Sequence, residues 1–236
     1  MMFFSLLCDT GVRFTLLEEL SELDGIELVT LIIAAVLAAA LIVAVALYIR
    51  SGRAGGERID EPKRGRSATQ TLVIAAMMVS VSFVLSYLKL FSMPFGGSLT
   101  LLSMLPLTLF AAWYGPAYGF AAAFSYSMLQ MIQGVWVVHP VQFALDYLLA
   151  YTCLGLASLF PKKAPLGVAV ACFARLIVST VSGAVFFAEY AADYGFSNSW
   201  AYSFCYNACY IGVEGVLCTI VAALPVVKRL RAQLVK

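Results

Sequence analysis

A single histidine, His139, stands in 236 residues, and only 12% of the residues are charged. A soluble domain carries roughly a quarter charged residues, so this scarcity excludes an ordinary water-facing surface. With one histidine there is no histidine-based metal site, and no serine or cysteine has a neighbouring histidine as base. The chain also lacks HExxH, CxxC and any Gly-rich phosphate loop. No catalytic residue, metal or cofactor is therefore expected, and any energy from ATP must come from another subunit. Cysteine is present six times, and all but Cys8 lie in apolar runs. Cys205 and Cys209 are four apart on one helical face, but no second pair accompanies them, so they read as small helix-packing residues. No basic start or small-residue cleavage site precedes the first long apolar run, so residues 1–25 do not read as a signal peptide. Internal repeats are absent, and nucleic acid is not expected as a partner.

What the sequence does have is apolar length. Hydrophobic residues make up 62% of it, and mean hydropathy is +0.92. The runs are too long for barrel strands, which leaves helices in a lipid bilayer. The expected fold is an all-α membrane protein. Residues 1–25 form a mildly acidic segment, 26–49 an Ala-rich anchor span, and 50–70 a basic linker. Residues 71–236 form a six-helix domain with spans at 71–91, 99–113, 117–134, 140–160, 166–187 and 200–227. The stretch 92–98, with Pro94, Gly96 and Gly97, breaks the first two of these. The basic linker, Lys162-Lys163 and the tail Lys228-Arg229-Leu230-Arg231 all fall on one side under this count. The positive-inside rule then places the N-terminus outside and the C-terminus in the cytoplasm of a multi-pass cell-membrane protein.

Within these spans the stretch His139-Pro140-Val141-Gln142-Phe143-Ala144-Leu145-Asp146-Tyr147 stands out. Pro140 suits the first turn of a helix, which places Asp146 roughly 9 Å inside the segment. A carboxylate at membrane depth costs about 3 kcal/mol on insertion scales, and marks either a binding site or an ion pair that locks helices together. Gln142 shares its face. Other polar stripes run at helical spacing: Tyr126, Gln130 and Gln133; Arg175, Ser179, Gly183 and Phe187; Ser203, Asn207, Tyr210 and Glu214. Their outer ends lie at similar depth and predict one cavity open to the exterior. One acid, several amides and many rings suit a small, flat, cationic ligand. Arg175 has an alternative reading as a structural partner of Asp146 or Glu214. Tyr147, Tyr151, Tyr190, Tyr194 and Trp200 have one as an interfacial belt. Ala76 and Ser80 have the small-xxx-small spacing that lets a second helix approach in lipid.

Three function classes compete on this pattern. A vitamin-binding transporter subunit needs an external pocket and ATPase partners. A stand-alone secondary transporter of a small cationic or heterocyclic metabolite favours repeats and a through-path. A membrane-embedded enzyme requires a catalytic constellation, and the sequence offers scattered acids.

From about residue 70 onward the chain resembles the thiamine-specific substrate-binding subunits of energy-coupling factor (ECF) transporters. The resemblance is carried by Gly-Gly-Ser-Leu-Thr and Ser-Met-Leu-Pro within 96–106, by HPVQxxLDY at 139–147, and by Tyr-Ser-x-x-x-Asn at 202–207. HPVQxxLDY is the most specific of these. The resemblance implies an S-component core with an external thiamine site. It also implies a transmembrane coupling protein and two cytoplasmic ATPases as partners in an ABC importer. By position it implies that Asp146, Tyr147, Asn207, Tyr202 and Gly183 are ligand-binding, with Gln142 beside them. Tyr126 stands where some members have Trp, and Arg175 where a Lys can stand. Ser179 replaces a ring-contacting His, and Phe187 replaces a stacking Trp. Ala76 and Ser80 stand near the family's docking surface for the coupling protein. The anchor at 26–49 lies outside the family core.

Overall fold

The computed structural model describes residues 68–234. The acidic segment, the anchor and nearly all of the linker lie outside the described residues.

The first helix, α1 (Ala68–Tyr87), is apolar all round and buries only Thr71, Val79, Ser82 and Ser86. Leu72, Val73, Met77, Val81 and Val84 are exposed on its outer face, as expected of a helix whose solvent is lipid. The expected span at 71–91 stops at Tyr87. Instead of the rest of that helix, β1 (Lys89–Ser92) pairs antiparallel with β2 (Ser98–Thr100), with Ser92 opposite Ser98. A short turn at Pro94–Gly96 closes this hairpin, and Phe95 and Gly96 take positive φ there. Residues 99 and 100 therefore belong to a strand, and the second helix, α2 (Met104–Tyr114), begins later than expected at 99.

Helix α2 is the buried centre of the bundle, with Met104, Leu107, Phe110, Ala111 and Ala112 wholly enclosed. The Leu107 N–H, in the first turn of α2, donates to Ser82 Oγ of α1 at 3.1 Å. A turn at Gly115 leads into α3 (Pro116–Gln130), with Pro116 at a helix start where its missing N–H is no loss. A single 3-10 turn, Met131–Gln133, extends it before the chain leaves at Gly134.

The fourth long helix, α4 (Pro140–Leu159), changes pitch along its length. It opens at Pro140, where His139 Nδ1 accepts the Val141 N–H at 3.1 Å. It widens to a π-helical stretch over Ala144–Leu149 and tightens to 3-10 over Cys153–Leu159. Helix α5 (Ala164–Phe186) returns antiparallel. Between the spans expected at 166–187 and 200–227, a short helix α6 (Glu189–Asp193) forms. The long helix α7 (Ser199–Ala223) follows, with Asn198 Oδ1 capping the Trp200 N–H at 2.9 Å and a π-helical stretch at Ala208–Gly212. The expected span to 227 ends at Ala223. Leu224 is extended because Pro225 follows it, and α8 (Pro225–Leu234) is a separate helix carrying Lys228, Arg229 and Arg231.

Four of these helices, α1, α4, α5 and α7, are long and apolar enough to cross a membrane. The fold is all-helical apart from the hairpin. Cys205 and Cys209, expected as packing positions, are instead exposed on α7, while Cys153, Cys172 and Cys218 are buried.

Candidate functional site

One cavity lies where the hairpin, the start of α4, the end of α5 and the first half of α7 meet. Asp146, Tyr147, Asn207, Tyr202, Gly183, Phe187, Tyr126, Arg175, Ser179 and Gln142 all line it. Residues read on four separate helices thus converge on one space.

Asp146 and Tyr147 sit in the π-helical stretch of α4. The wider turn rotates residues off the regular helical face, and such turns recur at functional sites. Asp146 Oδ2 accepts a hydrogen bond from Gln142 Nε2 at 2.7 Å. The same amide nitrogen donates to the Trp136 carbonyl at 3.2 Å, and Gln142 Oε1 accepts the Val138 N–H at 3.2 Å. Tyr147 Oη accepts the Trp136 N–H at 2.9 Å.

Asn207 is buried between α5 and α7. Its Nδ2 reaches the carbonyls of Ser179 at 3.2 Å and Ser203 at 2.9 Å, and its Oδ1 accepts from Tyr210 Oη at 2.7 Å. Ser203 Oγ donates to the Thr180 carbonyl at 2.8 Å. Gly183 makes this crossing possible, since a Cβ there would strike Ser203 Oγ and lie 3.5 Å from Asn207 Nδ2.

Arg175 is buried with its guanidinium carbon 4.2 Å from the centre of the Tyr151 ring. Cation–π contact of this kind is strengthened when both groups are desolvated. Its Nε has no hydrogen-bond partner, and Tyr126 Oη, fully enclosed, has none either. Both belong to groups lining the cavity. Among the described residues no ion pair joins Arg175 to Asp146 or Glu214, whose partners lie elsewhere.

Glu214, 2% exposed, closes the deep end. Its carboxylate accepts from Thr100 Oγ1 at 2.7 Å, Ser103 Oγ at 2.9 Å and the Met104 N–H at 3.3 Å. A buried carboxylate held by three donors is stabilised as an acceptor, and here it ties the hairpin's exit to α7. At the mouth, rings follow one another. Phe95 lies 4.2 Å from Tyr190, Tyr194 lies 5.6 Å from Tyr202, and Tyr206 lies 5.6 Å from Tyr210. Tyr147 and Tyr151 line the cavity, whereas Trp200 is exposed at the start of α7.

Sequence reasoning did not place Lys89, Phe95, Trp136 or Tyr206 in the site. Tyr210 and Glu214 were visible in the stripe on α7, since their spacing from Asn207 keeps one face. For Phe95 and Lys89 no periodic signal exists, because a hairpin folded over a cavity is positioned by what it covers. The lining as a whole offers a carboxylate, hydrogen-bonding amides and hydroxyls, a guanidinium and many ring faces.

The chain is 29% identical over 139 residues to the thiamine transporter ThiT of Bacillus subtilis (strain 168), covering 51% of this chain and 72% of the relative. The solved structure of ThiT from Listeria monocytogenes superposes with a TM-score of 0.54 at 22% identity, covering 64% of this chain and 92% of that one. This second likeness establishes the all-helical membrane fold. Residues 72–234 match the family described as thiamine transporter protein (Thia_YuaJ). With that match running over most of its length, the chain belongs to the thiamine transporter protein family, a family of transporters and not of enzymes.

Proposed function

We propose that this protein is the substrate-binding subunit of an ECF-type importer, which captures thiamine outside the cell and delivers it with an ATPase module. The observation that carries the reading is the convergence of Asp146, Asn207, Arg175 and the aromatic residues on one cavity, in a chain of this family. Thiamine joins a cationic thiazolium ring to an aminopyrimidine. Asp146 supplies the opposing charge, Asn207 and the hydroxyls supply hydrogen bonds, and Phe187 and the tyrosines supply ring faces.

The orientation follows from charge. Lys162, Lys163, Lys228 and Arg229 are exposed at the helix ends away from the hairpin, so the cavity opens on the side opposite to them, which we take as the exterior. No ATP-binding motif occurs in the chain. A transmembrane coupling protein and two cytoplasmic ATPases supply the power stroke in this reading. The face of α1 carrying Ala76 and Ser80, both exposed, receives the coupling protein.

The test is direct. Purified full-length protein is analysed by mass spectrometry for retained small molecules and titrated with thiamine calorimetrically. Retained or saturably bound thiamine supports the reading, and absence of any thiamine binding by folded protein overturns it.

A further inference from the structure

Gln142 lines the cavity, yet its side-chain amide is already committed. It is 2% exposed. A primary amide has two N–H donors, and both are used, on Asp146 Oδ2 at 2.7 Å and the Trp136 carbonyl at 3.2 Å. Its oxygen holds the Val138 N–H at 3.2 Å. Trp136 is held a second time, through its N–H, by Tyr147 Oη at 2.9 Å. Trp136, Val137 and Val138 are exposed and belong to no helix or strand. Two side chains of α4 therefore hold the backbone of this mouth segment, and one of them also holds the pocket's carboxylate.

We propose that Gln142 is a positioning residue. It fixes the Asp146 carboxylate through Oδ2, leaves Oδ1 to meet a cationic ligand, and ties that orientation to the place of Trp136–Val138 at the mouth. The inference rests on the reading of the cavity as a thiamine site. A carboxylate held in one rotamer before binding loses less freedom when the ligand arrives, which raises affinity without a new contact. The coupling also runs the other way: releasing Asp146 from Gln142 loosens the mouth segment, because one amide group serves both.

A double-mutant cycle separates this role from a general structural one. Full-length parent, Gln142→Met, Asp146→Ala and the double variant are titrated with thiamine. Gln142→Met is expected to weaken binding about fivefold or more in the parent and less than about twofold in the Asp146→Ala background, where no acceptor is left for it to hold. Equal penalties in both backgrounds overturn the proposal, since Gln142 then acts independently of the carboxylate. A second arm leaves Gln142 intact and needs no ligand. In Asp146→Ala, hydrogen exchange at the Trp136 and Val138 amides is expected to quicken several-fold while the α2 amides keep their protection. Unchanged exchange at 136 and 138 overturns the link. If the parent fails to bind thiamine, the transport reading falls, and the exchange arm still decides the positioning role.

Discussion

The Tyr206 hydroxyl lies 2.5 Å from the point where a Cβ on Gly97 would stand, and it accepts the Gly97 N–H at 3.1 Å. The hairpin thus rests on α7 at a place that only a residue without a side chain can occupy. The constraint is close approach, because Gly97 has φ −62, an ordinary value for any residue.

Gly97→Ala is accordingly expected to lift the hairpin off α7 and weaken thiamine binding by about tenfold, at a stability cost of about 1–3 kcal/mol for the overpacked contact. Tyr206→Phe removes the hydrogen bond but keeps the space, and costs less. Calorimetric titration of both variants checks the order. Equal affinities for Gly97→Ala and parent would show that the hairpin's seat does not matter to the ligand.

Glu214 is expected to control stability more than ligand chemistry. Its three donors come from Thr100, Ser103 and Met104. Glu214→Gln removes the charge and turns an N–H group toward donors, so each lost charge-assisted bond costs about 1.5–3 kcal/mol. The thermal unfolding midpoint of the purified protein should drop clearly, and Glu214→Leu should drop it further. A midpoint unchanged in Glu214→Gln would count against the carboxylate as the tie between hairpin and α7.

Asp146→Asn keeps an acceptor for Gln142 and removes the negative charge. A charged hydrogen bond contributes about 1.5–3 kcal/mol, so thiamine affinity is expected to fall about tenfold to a hundredfold. Phe187, whose ring lies 6.1 Å from Tyr190 at the mouth, should tolerate Phe187→Trp with equal or tighter binding, through a larger stacking face. Quenching of tryptophan fluorescence follows Asp146→Asn, and calorimetry follows Phe187→Trp, which adds a fluorophore of its own. Parent-like affinity in Asp146→Asn, combined with a lowered unfolding midpoint, would make the acid a structural group.

Ala76→Leu and Ser80→Leu place bulk on the exposed face of α1, away from the cavity. Thiamine binding by the purified subunit should stay within about twofold of the parent, while uptake by cells carrying the variant falls sharply, because close helix approach in lipid requires small residues. Full uptake by both variants would move the docking face elsewhere.

Some of this protein was decided by local sequence. The apolar runs and their breaks specify helices in lipid, because a buried backbone there must satisfy its own hydrogen bonds. The spacing of Arg175, Ser179, Gly183 and Phe187 specifies one face of α5, and all four line the cavity. Periodicity carries that much because it depends only on residues within a few turns. The rest needed the tertiary structure. That 89–92 leaves the helical run to pair with 98–100 depends on the cavity the hairpin covers and on Tyr206, 109 residues from Gly97. Glu214 finds its donors 110 to 114 residues away, and no local pattern encodes such a meeting. The π-helical stretches at Ala144–Leu149 and Ala208–Gly212 interrupt α4 and α7 where both line the cavity, although the same letters read locally as regular helix. Helix period tells which residues share a face. Which faces meet, and which backbone is bent to let them, is settled by packing between elements distant in the chain.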